Sequence, residues 1–336
     1  MLLFIPLTGA HAASRNLSLG PEQLAIIIND VDPLSRRIAA YYRKQRNIPK
    51  DNLIHVRFKP GNPVMSSEAF DAVYRKIVEQ TPASVQGYAL AWTVPYRVEC
   101  MSITTAVAAG FDKKFCASGC KATRPSPYYD SDSRRPWDDF GWRPAMMLAG
   151  TRFEDVKVLI DRGVAADYTY PHGRAYLLST SDRARNTRAR FYERALSTLK
   201  DRFDIEIVKG NRLTSRTDVM FYFTGLPVVF DIRSNRYLPG AIADHLTSSG
   251  GVLTGDKQMS SLRWLEAGAT GSYGTVAEPC SFTEKFPRPD IVMQHYLDGD
   301  TLLEAYWKSV AWPGQGVFIG EPLAAPFAGV PGRDNE

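Results

Sequence analysis

The sequence lacks any long hydrophobic run after its first residues. A helix that crosses a bilayer needs roughly 18 or more apolar residues in succession, and no later stretch of the 336 residues reaches that length. We therefore expect no transmembrane segment. A strong charge of either sign is also missing, because 41 lysines and arginines face 36 aspartates and glutamates.

Signatures of nucleic-acid and nucleotide binding are absent as well. The densest basic stretch, Arg183–Arg190, has no interleaved stacking aromatics and is typical of a solvated helix start. No Gly-x-Gly-x-x-Gly opens a helix after the first strand, and there is no phosphate-binding loop. Ser272 follows Thr270 and Gly271, so the Gly-x-Ser-x-Gly nucleophile elbow is incomplete. We expect no nucleic-acid partner and no organic cofactor.

Cysteine is scarce, and the residues present suit an oxidising compartment. Cys100, Cys116, Cys120 and Cys280 form an even set, which in an exported chain predicts two disulfides. We favour the pairs Cys100–Cys280 and Cys116–Cys120, since Cys100 and Cys280 both follow strand ends. Zinc binding is an alternative, but no histidine lies close in sequence to Cys116 and Cys120. Catalysis by a single thiol ranks behind both.

The first residues, Met1–Ala13, resemble a secretory signal. A short apolar run ends in Ala10-His11-Ala12-Ala13, and a signal peptidase accepts small residues at such positions. The positive charges that usually precede the apolar run are missing, so a loose, partly apolar tail is the alternative. Cleavage would yield an exported protein, periplasmic or extracellular.

Short apolar runs alternate with segments of helical spacing along the rest of the chain. Leu24–Ile28 predicts a strand buried on both faces, and Asp32-Pro33 predicts the start of the next helix. The alternation predicts an α/β fold with a doubly wound, mainly parallel sheet and helices on both faces. We expect one domain over residues 14–336, with an irregular insertion at about 100–142. Ala241–Leu246 is expected to be helical.

Charged residues follow several of the predicted strands. Ligands in open α/β sheets bind beyond the carboxyl ends of the strands, so these side chains are predicted to face one binding crevice. The candidates are Asp30, Asp32, Arg97, Glu99, Asp182, Arg183 and Glu278. Their carboxylates could hold a divalent cation or work as an acid/base pair. The alternatives are structural: Asp32 caps a helix, Asp182 starts a turn, and Arg97 pairs with Glu99.

Seven stretches carry a family resemblance that covers nearly the whole chain after the predicted signal. They are Trp92-Thr-Val-Pro-Tyr-Arg-Val-Glu-Cys100, Arg143-Pro-Ala-Met-Met147, Leu178-Ser-Thr-Ser-Asp-Arg183, Leu238-Pro-Gly-Ala-Ile-Ala-Asp-His-Leu-Thr-Ser248, Trp264-Leu-Glu-Ala-Gly-Ala-Thr-Gly-Ser-Tyr-Gly-Thr-Val276, Glu304-Ala-Tyr-Trp-Lys-Ser309 and Gly320-Glu-Pro-Leu323. With these stretches the chain resembles a family of uncharacterised exported proteins from bacteria that carry exosortase, the membrane enzyme that handles C-terminal sorting tails. The resemblance implies an association with that system and no particular activity.

A weaker, architectural resemblance is to the gingipain branch of caspase-like cysteine peptidases. Those enzymes place a His-Gly after one sheet strand and a nucleophilic cysteine after the next. Here Thr224-Gly225 stands where the histidine is expected, and no cysteine lies near Gly250–Thr254. His245 and Cys280 lie elsewhere in the pattern and are weak catalytic candidates. Peptidase activity is therefore not carried over.

Two hypotheses of function follow. The first is an exported accessory or binding protein that works with a cell-surface polymer or an exported protein in the exosortase system. The second is a hydrolase on a degenerate peptidase-like fold, using the acidic crevice or Cys280. The first predicts that all the cysteines are oxidised. The second predicts a free Cys280 near His245, or carboxylates that converge at metal-ligand distance.

Overall fold

The computed structural model describes residues 18–117 and 120–329, so the predicted signal at 1–13 lies outside the described residues. Within them the strands are β1 (Leu24–Asn29), β2 (Leu53–Val56), β3 (Val64–Met65), β4 (Gly87–Leu90), β5 (Arg97–Val98), β6 (Met101–Ser102), β7 (Ala145–Met147), β8 (Arg174–Ser179), β9 (Asp204–Lys209), β10 (Val219–Thr224), β11 (Tyr237–His245), β12 (Gly271–Thr275) and β13 (Gly316–Gly320). The α-helices are α1 (Pro33–Arg46), α2 (Ser67–Gln80), α3 (Ile103–Ala109), α4 (Pro136–Phe140), α5 (Phe153–Val164), α6 (Tyr192–Leu199), α7 (Leu262–Ala267), α8 (Pro289–Leu297) and α9 (Leu302–Lys308). Within this part of the chain, none of the helices combines the length and the apolar character that crossing a bilayer requires.

Most of the described strands form one large sheet with the order β2-β1-β4-β7-β13-β12-β11-β10-β8-β9. Parallel pairing joins β2, β1, β4 and β7, and it also joins β9, β8, β10 and β11. β12 is parallel to β11 and antiparallel to β13, which meets β7 through the single pair Ile319 and Met147. The prediction of an α/β fold built on a mainly parallel sheet flanked by helices is confirmed.

The two halves of the sheet repeat one strand order. In each half the first strand in the chain lies between the second and the third, and the fourth strand follows the third: β2-β1-β4-β7 and β9-β8-β10-β11. The pair β12–β13 lies between the halves. The sequence shows no matching internal repeat, so the likeness is one of topology.

Two strands illustrate why the sheet forms where it does. Every residue of β1 and of β10 is buried, as the uninterrupted apolar run Leu24–Ile28 predicts for a strand covered on both faces. Ile26 and Ile27 are fully buried. Removing one such side chain from water contributes about 1.5–3 kcal/mol, so β1 is a strong part of the core.

Helix α1 begins and ends at residues that act locally. The side chain of Asp32 accepts a hydrogen bond from the backbone N–H of Leu34 at 2.9 Å, and Pro33 occupies the first helical position. The helix ends at Asn47, which adopts a left-handed conformation with φ of 54°. The interpretation of Asp32 as a helix cap is confirmed.

The expected helix at Ala241–Leu246 is wrong, because these residues lie in or directly after β11. The strand is central, lies between β10 and β12, and is buried on both faces over residues 240–245. A strand of that kind shows no alternation of apolar and polar residues, and its pattern resembles that of a buried helix. Its polar residue Asp244 is tolerated because the buried Arg188 pairs with it at 2.6 Å.

The cysteines form two disulfides, as predicted, but the favoured pairing is wrong. The pairs are Cys100–Cys116 and Cys120–Cys280, with Cα–Cα distances of 5.4 and 5.3 Å. Helix α3 turns the chain back, so that Cys116 returns beside Cys100. Cys120 instead reaches the loop after β12. The first disulfide therefore closes a loop within the insertion at about 100–142. The second disulfide connects the insertion to the loop that follows β12, through Cys280.

Candidate functional site

Loops that follow several strands meet at one edge of the sheet. Arg97, in the short strand β5 that follows β4, donates from Nη1 to the carbonyl oxygen of Val276, after β12, at 3.3 Å. Thr275 Oγ1 donates to the carbonyl oxygen of Thr247, after β11, at 3.0 Å. Arg185, after β8, donates from Nε to Thr247 Oγ1 at 3.1 Å. These contacts bring the carboxyl ends of both sheet halves into one region, where the fold is expected to bind ligands.

Three of the predicted crevice carboxylates have local partners. Asp30 Oδ1 lies 2.7 Å from Nδ1 of His55 on the neighbouring β2. Glu99 Oε1 accepts from the backbone N–H of Ser67 at 3.2 Å, at the start of α2. Asp182 Oδ2 accepts from Arg185 at 2.9 Å, and its backbone carbonyl accepts the turn bond from Arg185. Asp182 thus forms the turn that its structural interpretation predicts.

Of the remaining crevice candidates, two lie where the segments after β4 and β12 meet, and one lies on the surface. Arg97 bonds to Val276 rather than to Glu99, and Glu278 Oε1 accepts from the N–H of Cys280 at 2.8 Å. Arg183 is exposed. Across residues 18–117 and 120–329, no hydrogen bond or ion pair joins any two of the seven candidates, and no cluster of three His, Cys, Asp or Glu residues suits a metal ion. Arg97 binds the carbonyl oxygen of Val276, two residues before Glu278, so these two candidates lie at the same junction.

His245 and Cys280, the weak catalytic candidates, do not form a reactive pair. Cys280 is bonded to Cys120. The indole N–H of Trp264 donates to His245 Nδ1 at 2.9 Å, so Nδ1 is unprotonated and Nε2 carries the proton that it donates to the Met259 carbonyl at 3.0 Å. Burial lowers the pKa of His245 to about 3. The imidazole is neutral and has no nitrogen left to accept a proton.

A buried ion pair lies beneath the position where a peptidase histidine was expected. Arg188 and Asp244 are both almost completely buried and 2.6 Å apart, and Arg188 Nη2 donates to the carbonyl oxygen of Thr224 at 2.9 Å. A Cβ atom at Gly225 would lie 1.9 Å from the carbonyl oxygen of Arg185, so only glycine fits there. Sequence reasoning missed this pair because Arg188 lies in a stretch interpreted as solvated and Asp244 in a segment interpreted as helical.

Lys285 is a second buried charged group that the sequence did not reveal. Its side chain is fully buried, and Nζ has no hydrogen-bond partner in the described part of the chain. Burial lowers the pKa of Lys285 to about 8, an effect that the nearby Glu278 opposes. Arg97 Nε and Gln315 Oε1 are likewise buried without a partner among the described residues. The junction of the loops after β4 and β12 therefore holds several desolvated polar atoms.

A groove with a volume of about 620 Å³ lies between α5 and α7. It opens beside Gly150 and Thr151, which follow β7. We call it the arginine groove and define it by its charged lining residues, Arg152, Asp155, Arg162, Arg233 and Glu266. Arg152 and Arg162 lie at the two ends of α5 and Arg233 comes from a separate segment, so no sequence motif marks the groove.

Comparison with models of protein families, with curated proteins and with solved structures finds no match to this chain.

Proposed function

We propose that this chain is an exported accessory protein that binds a ligand and has no peptidase activity. The observation that carries the proposal is that neither Cys280 nor His245 is free to react. A cysteine peptidase needs a thiolate beside a histidine that can take up a proton. Cys280 is bridged to Cys120, and both ring nitrogens of His245 are engaged.

Export is supported by the two disulfides, because such bonds persist in oxidising compartments and are rare in the cytosol. The signal-like pattern of Met1–Ala13 adds support from the sequence. The family resemblance connects the chain with exosortase-bearing bacteria. Its partner in this proposal is a cell-surface polymer or an exported protein of that sorting system, and the protein acts in the periplasm or outside the cell.

A hydrolase that does not use Cys280 is the second candidate, and one observation favours it. Lys285 is a buried amine whose pKa lies near 8, close to the carboxylate of Glu278 at the sheet edge. Amines of this kind can be neutral near neutral pH and serve as bases or nucleophiles. A Lys285→Met variant that retains its fold and loses a hydrolytic activity would favour this candidate over the first.

The test of the main proposal compares two variants of the mature, oxidised protein. Cys120→Ser leaves Cys280 as a free thiol, whereas Cys280→Ser removes that thiol, and both variants lose the same bridge. Each is incubated with casein and with a mixed peptide library, and cleavage is followed by mass spectrometry. We expect no cleavage by the wild-type protein or by either variant. Cleavage by Cys120→Ser alone would reveal a latent cysteine peptidase and overturn the proposal.

Export is tested separately in a host that carries exosortase. Fractionation of the cells should recover the chain without residues 1–13 in the periplasm or medium. A full-length chain confined to the cytoplasm would contradict export. Deletion of the gene should alter the amount of surface polymer or of proteins with sorting tails, compared with a complemented strain.

A further inference from the structure

The arginine groove has an unbalanced set of charges. Arg152 holds Asp155 at 2.7 Å, and Arg233 holds Glu266 at 3.2 Å, with Arg263 on the same carboxylate at 2.6 Å. Both acids of the groove are thereby neutralised by their own arginines. Arg162 has no carboxylate partner within residues 18–117 and 120–329. The groove therefore carries at least one positive charge in excess.

Arg162 donates to backbone carbonyl oxygens, which are uncharged and do not compensate its positive charge. Its Nη2 donates to the carbonyl oxygens of Leu265 and Ala269 at the end of α7, and its Nε is buried without a partner in the described chain. Burial lowers the pKa of Arg162 to about 10, which leaves the guanidinium charged at neutral pH. A charge taken out of water without a counter-ion is costly, and an anion bound beside it would recover part of that cost.

The dimensions of the groove suit an elongated ligand. Arg152 precedes the first residue of α5 and Arg162 lies in its last turn, so the two are about 15 Å apart along the helix at 1.5 Å per residue. The N-terminus of α5 opens at one end, where the capping residue Arg152 makes no side-chain cap. Apolar residues, among them Val158, Leu262 and Leu265, also line the groove.

We propose that the arginine groove binds an acidic glycan through the carboxylate of a uronic acid. This inference rests on the proposed binding function and names its ligand class. Arg162 is a single guanidinium without a carboxylate partner in the described residues, and it matches a carboxylate, which carries one charge, better than a phosphate monoester, which carries closer to two. The guanidinium fork bonds a carboxylate in a bidentate manner, and the exposed apolar lining residue Val158 offers a contact for the C–H face of a sugar ring.

The experiment is calorimetric titration of the mature, oxidised protein with sodium glucuronate at low ionic strength. Glucose serves as the neutral matched ligand. Binding of glucuronate without binding of glucose is expected, and added sodium chloride should weaken it, because salt screens the charges. Arg233→Glu should weaken binding at least tenfold. Arg233 is 71% exposed, so this variant is expected to fold. Arg162→Met should abolish binding, with circular dichroism used to show that the fold is kept.

Arg212→Glu is the matched control, since Arg212 is similarly exposed, is also paired with an aspartate, and lies outside the groove. It should bind glucuronate like the wild-type protein. Equal affinity in Arg233→Glu and Arg212→Glu, or no binding at all, would overturn the proposal. Tighter binding of inorganic phosphate or of a short acidic peptide would overturn the uronate assignment. None of these outcomes bears on the cleavage and export assays, so the two proposals fail independently.

Discussion

Removing the Cys120–Cys280 bridge should destabilise the protein more than removing Cys100–Cys116. The two bridges join residues that are 160 and 16 positions apart. A disulfide lowers the entropy of the unfolded chain by an amount that grows with the logarithm of the closed loop, which gives about 5 and about 3 kcal/mol, respectively. Since whole domains are stable by only about 5–15 kcal/mol, the longer bridge carries a large part of the free energy of unfolding.

The assay is equilibrium unfolding in guanidinium chloride, followed by tryptophan fluorescence. The paired variants Cys120→Ala/Cys280→Ala and Cys100→Ala/Cys116→Ala each lose one bridge and leave no free thiol that could exchange with the other. Both midpoints should fall. The free energy of unfolding should fall by about 2 kcal/mol more for the first variant, as the loop lengths require.

Two results would refute this reasoning. Equal losses in the two variants, or a larger loss for the shorter loop, would show that native contacts rather than loop entropy set the effect. Peptide mapping of the unreduced protein tests the pairing itself, because a fragment that joins Cys100 to Cys280 contradicts the structure. Thiol titration of the unfolded, unreduced protein should find no free thiol.

Three further predictions concern single groups. Arg188→Met should lower the free energy of unfolding, measured by chemical denaturation, by about 3–5 kcal/mol because it leaves Asp244 buried and unpaired. The double variant Arg188→Met/Asp244→Leu should recover part of that loss. A loss below about 1 kcal/mol in the single variant would contradict the burial of the pair. The depressed pKa of His245 means that the unfolded chain binds the proton first, so stability present above about pH 6.5 should be lost as the pH falls toward about 3, by up to about 1.4 kcal/mol per pH unit. His245→Gln should flatten that slope in unfolding measured across pH, and an unchanged slope would contradict it. Asp32→Ala should lower the free energy of unfolding by about 1 kcal/mol because the helix loses its cap. Magnesium should shift the Tm of the variant and of the wild-type protein equally. A magnesium-dependent rise in Tm seen only in the wild-type protein would support a cation bound at Asp32.

The sequence predicts β1 and α1 correctly but not the central strand β11. The apolar run Leu24–Ile28 and the pair Asp32-Pro33 predict β1 and the start of α1, because burial on both faces and capping act over a few residues. The segment Ala241–Leu246 is wrongly predicted as a helix because a strand buried on both faces has no alternation to reveal it. Only the neighbours β10 and β12 identify it as a strand.

The predicted crevice residues do not converge in the structure. Asp30, Glu99 and Asp182 follow strands, as the topology rule requires, yet each of them binds a nearby donor rather than another of the seven candidates. Which way a carboxylate turns depends on the nearest donor, such as His55 or the first N–H groups of α2. Those donors come from segments 25 to 32 residues away in the chain and carry no local signal.

The sequence by itself determined the properties that depend on composition and short spacing: the α/β pattern, the even set of cysteines, the cap at Asp32 and the missing peptidase motif. The tertiary structure decided which cysteines pair, that His245 is neutral and enclosed, and that Arg162 faces a groove with no carboxylate partner among the described residues. These features depend on atoms brought together across as many as 160 residues. Distances of that kind follow from the packing of the whole sheet and are not encoded in any short stretch of the chain.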